Sequence, residues 1–377
     1  MKNRLFGKTQ RQISVLSLGT MRFASPADAQ AVIEKAIAHG INHIETAPAY
    51  GPSEGYIGQA LTKLFAKGIV TRSHLTITSK LTPTLQGKDI AAAIQTSLTR
   101  LQLEYLDCLA IHGINTSTHL DWAKAEMLSA LAQARTAGLI QHIGFSTHGP
   151  LEVIESAIAT QAFSFVNLHY NLFFQRNAPA IDQAHQQNMG IFIISPADKG
   201  GLLYTPPDRL KALCHPFDPL LLSFRWLLHD SRITTLSIGP ATPEEIDWPL
   251  QIANDDGPLS IEEQHALDKL NNAQTEALGS DHCRQCYDCL PCPEAIHIPE
   301  VLRLRNLSVA YDMEAYGQYR YGMFENAGHW FPGQKGHHCT DCGDCLPRCP
   351  ENLDIPSLLR DTHQRLKGKA RRRLWGD

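Results

Sequence analysis

The sequence predicts an α/β protein: a parallel (β/α)8 barrel of the TIM type, followed by a smaller, mostly helical domain. Three observations carry that expectation. Between residues 13 and about 255, short apolar runs alternate with amphipathic stretches eight times. The runs are apolar nearly throughout, as strands covered on both faces must be. Eight of the ten cysteines lie after residue 282, where the alternation has stopped. A doubly wound sheet is the alternative for repeated β–α units. It usually has fewer strands, and the chain carries neither GxGxxG nor GxxxxGK[ST].

The elements follow in order. RLFGKTQRQISVLSLG (4–19) reads as a small hairpin running into the first strand. The eight runs are 13–19, 41–47, 74–80, 107–112, 140–146, 163–169, 190–196 and 234–239. Between them, Ala29, Val32, Ile33, Ala36 and Ile37 form one apolar face. Ile57, Ala60, Leu61, Leu64 and Phe65 form the next, then Ile90, Ile94, Ser97, Leu98 and Leu101. The i, i+3, i+4, i+7 spacing is that of amphipathic helices. Ser25-Pro26 opens the first helix and Gly40 closes it. DDGPL (255–259) marks a boundary, so the expected domains are 1–258 and 259–377. The second begins with a helix over 260–278, started by Ser260 and Glu263 as a capping box. The 198–221 loop is expected to shape a substrate pocket. The basic tail RLKGKARRRLWGD reads as a solvated end, with a docking patch for an acidic electron carrier as the sharper alternative.

Composition narrows the function classes. The 377 residues carry 34 Lys and Arg against 38 Asp and Glu, a net charge of −4. That balance does not point to nucleic acid or a membrane surface. The N-terminus MKNRLFGKTQRQ has no apolar core of a signal peptide, and no run of about 18 apolar residues occurs. A cytoplasmic location is the default. In a reducing compartment ten cysteines read as metal ligands before disulfides.

The cysteines stand in two groups: Cys283, Cys286, Cys289 and Cys292 before Pro293, and Cys339, Cys342, Cys345 and Cys349 before Pro350. Zinc ribbons use pairs of CxxC and four ligands per metal, which leaves the third and fourth cysteines of each group without work. Three thiolates at i, i+3, i+6 wrap three corners of a 4Fe–4S cluster, and the cysteine before Pro ligates the other cluster in two-cluster ferredoxins. The second group matches C-x2-C-x2-C-x3-C-P; the first is one residue shorter before its last cysteine. The ferredoxin pattern therefore implies a two-cluster ferredoxin-like domain. One cluster lies on Cys283, Cys286, Cys289 and Cys349, the other on Cys339, Cys342, Cys345 and Cys292. Cys108, in an apolar strand, reads as a buried small hydrophobe.

In a parallel barrel, chemistry sits at the C-terminal ends of the strands. Strand-end polar residues often merely anchor loops; here they form a set. Glu45 lies near the end of the second run, with Tyr50 five residues on; Lys80 ends the third and His112 the fourth. Lys80 beside Tyr50 favours a phenolate, Glu45 holds Lys80, and His112 polarises a carbonyl oxygen.

INHIETAPAYGPSEGYIGQAL, ITSKL, LDCLAIHGIN and IGFSTHG, in that order, resemble the aldo-keto reductases over residues 4 to 255. LAIHGINT, FVNLHYN and IISPADKGGLLY resemble a subgroup with a C-terminal domain carrying two 4Fe–4S clusters. The resemblance implies hydride transfer between a nicotinamide and a carbonyl. It maps an Asp–Tyr–Lys–His tetrad onto Glu45, Tyr50, Lys80 and His112, with Glu in place of the usual Asp. Gly19, Thr20 and Met21 match the loop after strand one. The carboxamide-binding Ser-Asn pair falls on Ser146-Thr147, the usual Gln on Asn167, and the stacking aromatic on Ile194 beside Ser195. Where many members grip a 2′-phosphate with Lys or Arg, this chain has Gly239 and Glu245, and Pro249 replaces a common Asn. A glutamate repels a phosphate, so NAD(H), NADP(H) and flavin all stay open as organic cofactor.

Three readings follow. An aldo-keto reductase-type oxidoreductase acts on a carbonyl or alcohol small molecule, its clusters relaying electrons from a ferredoxin- or flavodoxin-like carrier. A nicotinamide-dependent carbonyl reductase keeps its clusters as structural or redox-sensing groups. A non-enzymatic electron-transfer or sensor protein sits on an inactive barrel.

Overall fold

The computed structural model describes residues 1–370. It divides into two compact units, one made of Met1–Pro196 with Ser223–Pro258, the other of Ala197–Leu222 with the chain from Leu259 onward.

In the first unit the leading hairpin is β1 (Asn3–Leu5) and β2 (Gln12–Ser14), antiparallel. Eight further strands close into a parallel barrel. They are β3 (Leu16–Gly19), β4 (His43–Glu45), β5 (Thr76–Leu81), β6 (Leu106–His112), β7 (Ile140–Ser146), β8 (Phe165–Leu168), β9 (Gly190–Ile193) and β10 (Thr235–Ile238). All eight expected runs become strands. The first run divides: residues 12–14 belong to the hairpin, and Val15 donates its N–H back to Lys2 before the barrel strand starts at Leu16. Helices α1 (Pro26–Ala38), α2 (Ser53–Ala66), α3 (Ile90–Leu101), α4 (Leu128–Thr136), α5 (Leu151–Ala159) and α6 (Ala178–Gln186) lie between strands. The Ser25 hydroxyl caps α1 by accepting from Asp28 N–H. The anticipated apolar positions of α1 to α3 are buried apart from half-buried Ile37 and Phe65.

The hairpin supplies a plug. Phe6 is fully buried in a cluster with Ile13, Cys108, Ala110, Phe165 and Phe192. Gly190 makes room for it, since a Cβ there would stand 2.1 Å from the Phe6 ring. Further in, His43 takes hydrogen bonds at both ring nitrogens, to Ser17 (2.7 Å) and Thr78 (2.8 Å). Burial first, then Lys80 and Arg11, push its pKa down to about 3, so it is a neutral core histidine. Cys108 is buried too, and burial pushes its thiol upward.

The second unit is helical among the described residues: α7 (Asp208–Cys214), α8 (Ile261–Leu278), α9 (Ile298–Tyr311), α10 (Glu314–Tyr321) and α11 (Ile355–Leu366). The Ser260–Glu263 capping box of α8 is present with both hydrogen bonds. This division differs from a continuous domain over 1–258. Residues 197–222, expected to shape a substrate pocket, group with the cysteine-rich unit. The reason is packing: α7 lies on α8, and Tyr316 donates its hydroxyl to Lys199 O at 2.6 Å. A change of composition marks where the chain changes character, not which segments share a core. Of the basic tail, residues 371–377 lie outside the described residues.

Candidate active site and cysteine centre

The strand register lines the expected site residues around one rim. Gly19 pairs with Glu45 across β3 and β4, His112 with Ser146 across β6 and β7, and Ser146 with Asn167 across β7 and β8. Gly19, Glu45, His112 and Ser146 each end their strand, and Asn167 is one residue short of the end of β8, all at the C-terminal side of the barrel. Gly19 is required by close approach: a Cβ would stand 2.9 Å from Ser237 Oγ and 3.2 Å from Ile238 O.

Four residues converge. Tyr50 closes a short 3-10 turn that begins at Pro48, and it is half-buried. Lys80 Nζ donates to Tyr50 Oη at 2.9 Å and to Thr46 O at 3.0 Å, and forms an ion pair with Glu45. Lys80 and Glu45 are 2% and 4% exposed, so their pairing occurs away from water. Burial alone pushes Lys80 well below the usual lysine range; the ion pair with Glu45 opposes that by favouring the ammonium form. The longer glutamate side chain thus keeps the ion pair expected of the shorter acid. The His112 ring stands edge-on to Tyr50, with centroids 5.8 Å apart. Because Tyr50 Oη accepts from Lys80, its own proton is directed elsewhere. The ammonium stabilises the phenolate left when that proton leaves.

The positions expected to hold a nicotinamide divide into two kinds. Ser146 Oγ accepts from Gly113 N–H at 3.0 Å. Thr147 Oγ1 donates to Ile114 O at 2.7 Å and accepts from Gly149 N–H at 3.0 Å. Thr20 Oγ1 donates to Glu45 O at 3.0 Å. These hydroxyls bind loops to the rim. Met21 is half-buried beyond β3, and Ser195 holds a left-handed φ of 50° beyond β9. Asn167 differs: it is fully buried, and neither its amide oxygen nor its amide nitrogen meets a protein partner. A buried amide without partners fits another carboxamide, donor to acceptor and acceptor to donor.

Three residues outside the sequence expectations join the rim. Arg22 grips Glu245 with two bonds, at 2.6 and 3.1 Å, and donates to Gly239 O at 3.0 Å. Glu245 is therefore not the unscreened charge the sequence implied; its partner lies 223 residues away. His169 Nδ1 lies 3.1 Å from Ile194 O, and its Nε2 lies 2.9 Å from His148 Nδ1. A carbonyl only accepts, so His169 carries its proton on Nδ1 and His148 donates to it. The signal for this pair was the ring type alone, at loop positions no periodicity singles out.

In the second unit, Cys292, Cys339, Cys342 and Cys345 line one shallow cleft with Pro293, Ile298 and Leu359. One cysteine of the first group thus lines the same cleft as three of the second. Burial pushes Cys283 up to about 11; Cys286 and Cys349 push the same way. Burial also takes Cys289 to about 12, with Cys283 and Cys286 adding to it. Thiols crowded so that each disfavours its neighbour's thiolate suit a cationic cluster that neutralises them together. The two loops are laced: Arg348 donates to Leu290 O (2.8 Å) and Pro291 O (3.0 Å), and Thr340 to Glu294 (3.0 Å).

Comparisons with known proteins bear on both units. A sequence model of the Aldo/keto reductase family matches residues 15–272, and one of a 4Fe-4S dicluster domain matches residues 282–354. An aldo/keto reductase of Synechocystis is 31% identical over 56% of this chain and 67% of its own length. Mouse aldo-keto reductase family 1 member A1 is 26% identical over 70% of this chain and 87% of its own. Among solved structures, an aldo-keto reductase from Bacillus halodurans in its holo form aligns with a TM-score of 0.62 at 21% identity, covering 71% of this chain and 96% of that one. One from Klebsiella pneumoniae in complex with NADPH aligns with a TM-score of 0.59 at 21% identity, covering 71% and 94%. These two likenesses concern the fold. Among the described residues, no helix is long and apolar enough to cross a membrane.

Proposed function

Because this chain belongs to the aldo/keto reductase family and carries a C-terminal 4Fe-4S dicluster domain, we propose that it interconverts a small carbonyl compound and its alcohol, with two 4Fe–4S clusters relaying the electrons. The observation that carries the reading is the hydrogen bond from buried Lys80 to Tyr50, with Glu45 behind it. Tyr50 gives its proton to the carbonyl oxygen, Lys80 steadies the phenolate, and His112 orients the oxygen. Cys283, Cys286, Cys289 and Cys349 hold one cluster; Cys339, Cys342, Cys345 and Cys292 hold the other. When bound, the clusters would pass two single electrons to the carbonyl in successive steps, balanced by the Tyr50 proton at oxygen and a second proton from solvent at carbon, with no hydride donor required. The electrons come from a small carrier of the ferredoxin or flavodoxin type.

The unpartnered amide of Asn167 favours a second reading, a nicotinamide-dependent reductase whose clusters are structural or redox-sensing. Neither the site nor the relatives support a flavin.

The test uses anaerobically purified holoprotein and 4-nitrobenzaldehyde as probe, with reduced methyl viologen, NADH or NADPH as reductant. Tyr50→Phe is expected to lower turnover by about 10²–10⁴-fold while cluster absorbance is unchanged. Undiminished turnover removes the Tyr50 reading. Turnover with viologen supports the relay; turnover with nicotinamides alone supports the second reading.

A further inference from the structure

The segment entering the second cysteine group carries a different ligand set. Glu325, His337 and His338 bring one carboxylate oxygen and two ring nitrogens within 4.8 Å of one another. Glu325 holds a left-handed φ of 70° just beyond α10, a conformation that a non-glycine residue adopts rarely and at a cost. Its carboxylate turns back onto the 335–338 turn. There Oε1 accepts from Lys335 N–H at 3.0 Å and lies 3.1 Å from His338 Nε2, while Oε2 takes Lys335 Nζ at 2.8 Å.

The rings are braced from behind. His337 packs on His338 at 4.1 Å and on His363 at 4.4 Å between centroids. His363 Nδ1 lies 2.9 Å from Tyr321 Oη, which accepts from Gly336 N–H at 2.9 Å. With that bond accepted, the phenol proton points to His363 Nδ1. His363 is thereby fixed in orientation, and with it the face on which His337 rests.

We propose that Glu325, His337 and His338 form a mononuclear site for a borderline divalent cation, with Zn²⁺ the best fit, separate from the eight cluster thiols. Two imidazoles and one carboxylate are a zinc donor set, and three protein ligands leave a fourth position for water. Zinc bonds of about 2.0–2.1 Å place tetrahedral ligands about 3.3 Å apart. The His338–Glu325 pair already stands at 3.1 Å. The remaining ligand closes by about 1–2 Å through rotation of an exposed side chain. Glu325 Oε1 ligates while Oε2 stays on Lys335, the outer hydrogen bond that orients a ligating carboxylate. His338 directly precedes Cys339, so the metal ties the turn after α10 to the start of the second cysteine loop. The inference does not depend on the barrel chemistry.

The experiment titrates ZnCl2 into tag-free, full-length holoprotein under anaerobic conditions, by calorimetry. Zinc K-edge absorption and an iron count are taken on the same samples. Saturable uptake of one zinc per chain is expected, with nitrogen and oxygen ligands only. Glu325→Gln and His337→Ala should each weaken binding by about tenfold or more, with iron unchanged. No saturable uptake, sulfur in the zinc shell, or variants that bind like the parent would overturn the site. Should a variant lose iron and fold poorly, the ligand shell of the parent protein decides alone.

Discussion

Asn167 holds the most informative side chain on the rim because its neighbours are already engaged. Ser146 and Thr147 spend their hydroxyls on loop backbone, whereas the Asn167 amide is buried without protein partners. An unsatisfied buried amide costs about 1–3 kcal/mol. Asn167→Leu, close in volume, should leave the thermal midpoint of the cofactor-free protein unchanged or higher. It should weaken NADH or NADPH binding, read by fluorescence titration, by about tenfold or more. A lower midpoint together with unaltered binding would assign Asn167 to the core instead. Asn167 was legible in the sequence only through the family resemblance, as the position of the usual Gln. That its amide lacks a partner was not, because it depends on which side chains the neighbouring strands bring beside it.

At the level of elements, the hairpin matters more than its length suggests. β1 and β2 deliver Phe6 into the barrel floor, against Phe165 at 5.2 Å between centroids, and Gly190 gives way to it. Phe6→Ala should cost about 3–5 kcal/mol in chemical denaturation, with the far-UV spectrum retained. A cost below about 1 kcal/mol would mean the floor closes without it. The hairpin itself was readable from RLFGKTQRQIS, and so were the eight strands, from their continuous apolar runs. Helix α1 shows why such reading works: a Ser cap, a Pro after it and a 3.6-residue stripe are all local, and the structure keeps each one.

At the scale of the whole molecule, two compact units share one chain that enters the second unit twice. Within that second unit, Cys292 stands with Cys339, Cys342 and Cys345 around one cleft. Cys292→Ala should therefore remove about half the cluster iron and lower the unit's stability, since ligation and folding are coupled. Retention of all the iron, measured by colorimetric assay on anaerobic protein, would break the crossed assignment.

The sequence by itself determined the strand count, the helix starts, the two cysteine groups and the rim positions of Glu45, Tyr50, Lys80 and His112. Each is written in spacings of a few residues, where backbone geometry repeats. Only the tertiary structure decided that Arg22 grips Glu245, that His148 meets His169, that Phe6 plugs the barrel and that residues 197–222 leave the barrel unit. Those outcomes join residues tens to hundreds of positions apart. Closing the barrel is what brings them together, and no local period records which distant side chains a closed sheet makes neighbours.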